Sequence, residues 1–137
     1  MFSLTSRKIS HDTVVVKEQY QLMAIVDETV PESPYQVILV YLSKGCDLLK
    51  VTHHISHPLF PEMTTIITGD FNFDKNETNI LSRFFKDNLF SQKVLWPTHV
   101  QGRTLDHCYL SKNVQIILTR YSPFYSDHSA LRIDFQF

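Results

Sequence analysis

Between Thr64 and Asp74 the chain reads TTIITGDFNFD, and the remaining segments have to be read against this stretch. Thr64 to Thr68 is a β-branched, apolar run that stops at Gly69, the pattern of a buried strand. Side chains along an extended chain alternate between faces. Asp70 and Asn72 are therefore expected on one side at the strand's end, with Phe71 and Phe73 turned into apolar packing. In α/β sheets the rim beyond the strand ends is where ligands bind. A carboxylate acceptor next to an amide donor suits a hydrated cation beside a phosphate oxygen; the plainer alternative is a turn built from two turn-forming residues.

Upstream, residues 13–17, 20–28 and 36–43 are rich in β-branched and aromatic residues and read as strands separated by short polar or proline-bearing joints. Tyr41 lies near the end of the third, where its hydroxyl would reach the same rim, although a half-buried strand tyrosine is the commoner case. From Lys44 to His57, Leu48, Leu49, Thr52, Ile55 and Leu59 recur at helical spacing, which predicts an amphipathic helix stopped before Pro58 and joining two parallel strands. His53, His54 and His57 raise a zinc reading, but no cysteine or carboxylate stands at ligand spacing, which favours a solvated face. After the central stretch, Asp74 and Glu77 resemble a capping box, and Ile80, Leu81, Phe84, Phe85 and Leu89 predict a helix with one apolar stripe ending near Asn88. Residues 91–104, SQKVLWPTHVQGRT, read as a surface loop able to carry function. Leu105 to Ser111 and Val114 to Tyr121 then read as strands joined tightly at Lys112 and Asn113, and SALRIDFQF as a last alternating strand.

With 137 residues, 43% hydrophobic and 20% charged, the chain is expected to form a single domain with a real core, of α/β or α+β class. It holds no apolar run of signal-peptide or membrane-span length, so a soluble intracellular chain without a membrane partner is expected. Cys46 and Cys108 are far apart and outside any ligand-spaced pattern, which predicts free thiols. A net charge of −1 and a pI near 6.6 provide no global basic footprint, so recognition of phosphate must be local or metal-borne.

Two Asp-His pairs, Asp106-His107 and Asp127-His128, join Asp70 and Asn72 at predicted strand ends. No GxSxG elbow occurs and neither cysteine lies in an activating setting, so covalent catalysis is not indicated. Three aspartates, an asparagine and a histidine are instead what a hard cation and a phosphodiester require: oxygen ligands, a donor to a nonbridging oxygen, and an acid/base group. Taken singly, each Asp-His pair serves equally well as a strand-end cap.

GDFN at 69–72, LDH at 105–107 and SDH at 126–128, in this order, resemble the later motifs of the endonuclease/exonuclease/phosphatase superfamily, whose fold is deoxyribonuclease I-like. PTH at 97–99 and Gly102 before LDH look most like the nuclease domains of retrotransposons and Helitron-type elements. The resemblance covers roughly residues 20–137. It implies a sandwich of two β-sheets with helices outside, here a single domain lacking its N-terminal portion. The family's first half supplies an asparagine and a metal-binding glutamate that no segment here matches; Glu18 resembles the glutamate strand only superficially and lies too close to Tyr41. Carried over, the resemblance implies that Asp70 positions or deprotonates the attacking water and that Asn72 holds the scissile phosphate. It likewise implies that Asp127 helps bind Mg²⁺, or Mn²⁺ in its place, and that Tyr41 contacts phosphate. His128 would act on the phosphate, oriented by Asp106, while the role of His107 stays open. The implied partner is nucleic acid, DNA foremost, together with the missing N-terminal half or further domains of a polyprotein. The alternatives are a non-catalytic remnant and a phosphatase of the same fold.

Overall fold

The computed structural model describes residues 11–16, 19–27, 35–56, 63–111, 115–121, 127–128 and 130–136. Strands β1 (His11–Val16), β2 (Tyr20–Asp27) and β3 (Tyr35–Leu42), which correspond to the three upstream runs, form an antiparallel meander. Strand β4 (Thr64–Asp70) lies parallel to β3. Parallel neighbours need a long crossover, and helix α1 (Leu48–Ser56) lies within it. After β4 come helix α2 (Ile80–Asp87), the two-residue strand β5 (Ser91–Gln92) and β6 (Asp106–Leu110), which runs antiparallel to both β4 and β5. The resulting six-stranded sheet has the order β1-β2-β3-β4-β6-β5. Strands β7 (Gln115–Tyr121) and β8 (Ala130–Gln136) pair with each other in a second, two-stranded sheet. β7 thus leaves its predicted neighbour β6; the tight joint expected at Lys112 and Asn113 lies outside the described residues.

Each face of the large sheet carries its own apolar layer. Ile38, Val40, Leu42, Ile67 and Tyr109 pack with Val51 and Ile55 of α1 and with Leu81 and Phe85 of α2. Residues one position out of phase, Val37, Ile66, Cys108 and Leu110, pack with Ile116 and Leu118 of β7 and Leu131 and Ile133 of β8. The domain is therefore layered helices, sheet, small sheet, and the period-two alternation of β3, β4 and β6 decides which layer a residue serves.

Both helices start where local acceptors satisfy their first N–H groups. The carboxylate of Asp47 accepts from Leu49 and Lys50 N–H at 3.1 and 3.3 Å, so α1 begins after the expected Lys44. Leu49, placed by spacing on the apolar stripe, is 63% exposed, and Val51 is buried in its stead. For α2 the expected cap is wrong. Asn79 is the N-cap, accepting from Ser82 N–H while Ser82 Oγ accepts from Asn79 N–H. Asp74 is committed elsewhere, to Thr104 N–H at 2.8 Å, a bond that holds its carboxyl below the usual range and ties the end of the central stretch to the approach of β6. Leu89 also departs from the predicted stripe: Asn88 caps the helix, Leu89 adopts φ 62°, and its side chain is 81% exposed, because a left-handed residue after the cap turns off the helical face.

Gly69 occupies the tightest point of the sheet. It pairs with Val40 across the parallel ladder at φ 149°, and a Cβ there would lie 1.8 Å from the Val40 carbonyl oxygen. Both the conformation and the space demand glycine. Gly69→Ala is expected to lower stability by about 3 kcal/mol or more. Urea denaturation checks this; an unchanged midpoint would show that β3 and β4 do not approach so closely.

Candidate active site

Tyr41, Asp70 and Asp106 form one rung across the large sheet: Tyr41 is opposite Asp70 on the parallel ladder, and Asp70 is opposite Asp106 on the antiparallel one. By the strand period all three project from the face that carries the small sheet, at the end of their strands. Tyr41 is 46% exposed there.

His128 precedes β8 and reaches the same rung. Its Nδ1 is 2.8 Å from Asp106 Oδ2, a hydrogen bond in which the ring must be the donor because a carboxylate only accepts. Its Nε2 is 3.6 Å from Asp70 Oδ2, ion-pair rather than hydrogen-bond distance. Burial lowers the pKa of His128, but the hydrogen bond to Asp106 and the charges of Asp106, Asp70 and Asp127 outweigh it, and the net shift is upward. Asp70 is also raised, first by burial and then by Asp106, against the lowering effects of the Asn72 N–H and of His128.

A loop from Trp96 to Thr104 brings the remaining parts together. The buried Thr98 hydroxyl accepts from Leu105 N–H and Asp106 N–H, both at 3.0 Å, and so anchors the start of β6. His99 forms an isolated antiparallel bridge with His128, and Val100 N–H donates to Asp127 O at 2.9 Å. His99 Nε2 is 3.1 Å from Asp127 Oδ2. That bond, first among the causes, lowers the pKa of the exposed Asp127 carboxyl. From the sequence, His99 counted only as part of the PTH signature. Its position three residues after Trp96 and seven before Asp106 gave no sign that it would meet Asp127.

Asn72 reaches the rim by a different route from the one alternation predicts. The strand ends at Asp70, and Asn72 takes φ 52°. Its backbone N–H donates to Asp70 Oδ1 at 3.0 Å, and its side-chain amide donates to Leu42 O at 2.5 Å, using one of the two N–H groups an amide carries. Phe71 and Phe73 are buried as expected. His107, next to Asp106, points to the helix side. It is fully buried, stacks on Phe71 with ring centroids 4.9 Å apart, and is held by Thr104 O at 2.7 Å and the Tyr109 hydroxyl at 2.9 Å. Burial lowers its pKa, so His107 is a neutral core residue. Cys108 is likewise buried, and burial pushes its thiol up to about 12, which removes it as a nucleophile; Cys46 is also a free thiol. In α1, His54 Nδ1 is hydrogen-bonded to the Tyr20 hydroxyl at 2.7 Å, while His57 and Glu18 lie outside the described residues.

Two groups of side chains among the described residues have ligand atoms close enough to hold a metal ion: Asp70, Asp106 and His128, and His99, Asp127 and His128. Both lie at this rim. One or two carboxylates with substrate oxygens and water are what Mg²⁺ uses, so Asp70 and Asp106 in the first group, or Asp127 in the second, could serve such a cation as oxygen donors.

No family profile and no curated protein matches the chain. Solved structures do. The human Nocturnin catalytic domain with bound sulfate matches with a TM-score of 0.60 at 17% identity, over 94% of this chain and 60% of that one. An endonuclease/exonuclease/phosphatase family protein from Leptotrichia buccalis C-1013-b matches with a TM-score of 0.64 at 14% identity, over 95% and 62%. CdtB, the biologically active subunit of cytolethal distending toxin, matches with a TM-score of 0.52 at 17% identity, over 95% and 58%. The chain thus has the deoxyribonuclease I-like α/β fold and spans about three-fifths of the structures it resembles.

The upward shift of His128 has a definite sign in stability. Its contribution is fully present below the ordinary histidine pKa of about 6.5 and is lost as pH rises through the higher folded value. In the metal-free chain His128 should titrate above that ordinary value by NMR, and Asp106→Asn should move it down. Titration of His128 at or below the ordinary value would contradict the contacts described.

Proposed function

We propose that this chain carries the phosphate-acting side of a Mg²⁺-dependent phosphodiesterase that cleaves nucleic acid, DNA foremost, as an endonuclease of mobile-element type. The observation that carries the reading is the imidazole of His128, held by Asp106 and facing Asp70 at one rim, from residues that are far apart in the chain. The mobile-element assignment draws on the PTH, Gly102 and LDH motifs together.

In this reading water attacks phosphorus, and Asp70 positions it and takes its proton. A carboxylate raised by burial is a stronger base than an exposed one, which favours that role. The P–O bond opposite the incoming water breaks. His128, as imidazolium, stabilises the charge building on the phosphoryl oxygens or gives its proton to the leaving oxygen, and Asp106 holds the ring for that task. Asn72 and the Tyr41 hydroxyl serve as donors to the phosphate. A divalent cation held at Asp127 would supply further charge neutralisation at those oxygens. This role for Asp127 needs its carboxylate beside the His128 ring, and the bridge between His99 and His128 supports that placement.

A second reading, a non-catalytic remnant, is favoured by one observation: no glutamate among the described residues joins the two metal-capable groups, in a chain spanning about three-fifths of its structural neighbours.

Plasmid nicking with Mg²⁺ or Mn²⁺, with and without chelator, separates these readings. The chain, or a form extended upstream, should nick DNA only with metal, and His128→Ala should lower the rate by about 10²- to 10³-fold. Hydrolysis of inositol phosphates without nicking would point to a phosphatase, and no turnover in either form to the remnant.

A further inference from the structure

His99 stands beside this site with no part in the chemistry so far. Its loop is closed on itself. Thr98 and His99 N–H both donate to Arg103 O, at 3.1 and 3.0 Å, and Gly102 N–H donates back to His99 O at 3.0 Å. Gly102 takes φ 83°, which suits a glycine at that turn. The His99 side chain is only 13% exposed, whereas that of its partner Asp127 is 64% exposed.

Two roles compete for this imidazole. His99, Asp127 and His128 have the composition of a nitrogen-rich transition-metal site. A ligating Nε2 would need its lone pair, and therefore a proton on Nδ1. But Gln101 N–H donates to His99 Nδ1 at 3.2 Å, so Nδ1 is the acceptor of the ring. The neutral ring then carries its proton on Nε2, facing Asp127 Oδ2 at 3.1 Å. A nitrogen that carries a proton donates and does not ligate.

Building on the phosphodiesterase reading, we infer that His99 is a positioning residue for Asp127: its Nε2–H holds Oδ2 and thereby aims the rest of an otherwise exposed carboxylate at a hard divalent cation. An exposed aspartate samples several rotamers, and a fixed donor from a closed loop removes that freedom before the cation arrives. The same tautomer withdraws a nitrogen ligand, so the rim should favour Mg²⁺ and Mn²⁺ over Zn²⁺.

Nitrogen-15 NMR of the histidines in the whole chain reads the tautomer directly, and titration with Mn²⁺ alone, followed by its electron paramagnetic resonance signal, reads the cation site without any substrate. The expected results are an Nε2–H tautomer for His99 and Mn²⁺ affinity about 10- to 100-fold weaker in His99→Ala. His99→Gln can place an amide N–H near the same spot and should recover most of that affinity. An Nδ1–H tautomer, Zn²⁺ bound through the His99 ring, unchanged Mn²⁺ affinity in His99→Ala, or no Mn²⁺ binding by the unaltered chain would each overturn the inference. If Mn²⁺ binds with this dependence on His99 but no phosphodiester is cleaved, the phosphodiesterase reading fails while the positioning role stands.

Discussion

Two backbone ladders, the parallel one between β3 and β4 and the antiparallel one between β4 and β6, end on a common rung made of Tyr41, Asp70 and Asp106. The rim chemistry depends on that register. A slip of one residue in any of the three strands would turn its polar side chain into the helix layer and bring an apolar residue to the rim. The apolar residues of the same strands follow the same alternation, with Ile67 and Tyr109 in the helix layer and Ile66 and Cys108 in the small-sheet layer. Gly69 locks the point nearest the rung by allowing β4 to approach Val40. Packing energy spent on the core thus places two carboxylates side by side.

Side by side, those carboxylates repel each other, and burial adds to the cost of charge on Asp70. The raised pKa of Asp70 reflects both effects. His128 relieves the repulsion by bonding to Asp106 and facing Asp70, and is itself driven toward the charged form. Neither group is held in its ordinary ionisation balance, and pairs of titratable groups shaped by each other in this way recur at reactive sites. The Trp96–Thr104 loop supports the arrangement from outside: Thr98 grips the backbone that presents Asp106, and His99 grips Asp127.

Much of this was legible in the residues. The β-branched runs located β2, β3 and β4, the helical spacing before Pro58 located the crossover, and GDFN with the two Asp-His pairs named the rim carboxylates and His128. Strand alternation alone separates Asp106 from His107, because consecutive strand residues face opposite layers, so the buried fate of His107 was available in principle. Other features depended on partners distant in sequence. Asp74 lost the helix cap to Thr104 N–H, thirty residues away. Asn72 left the extended path because the strand stops at Asp70, within a residue of the boundary that Gly69 marked, and alternation was carried two residues beyond it. β7 pairs with β8 instead of β6, a choice of sheet that periodicity does not encode. His99 meets Asp127 only because a loop and a strand end bridge across the fold.

The central claim is that one rim gathers the chemistry of the whole chain and takes a divalent cation there. Adding Mn²⁺ to the nitrogen-15-labelled chain and recording which amide signals broaden tests this directly, since paramagnetic broadening falls off steeply with distance from the ion. The account predicts loss of signal centred on Asp70, Asp106, Asp127 and His128, with α1 unaffected. Broadening centred on His53 and His54, or none at the rim, would contradict it.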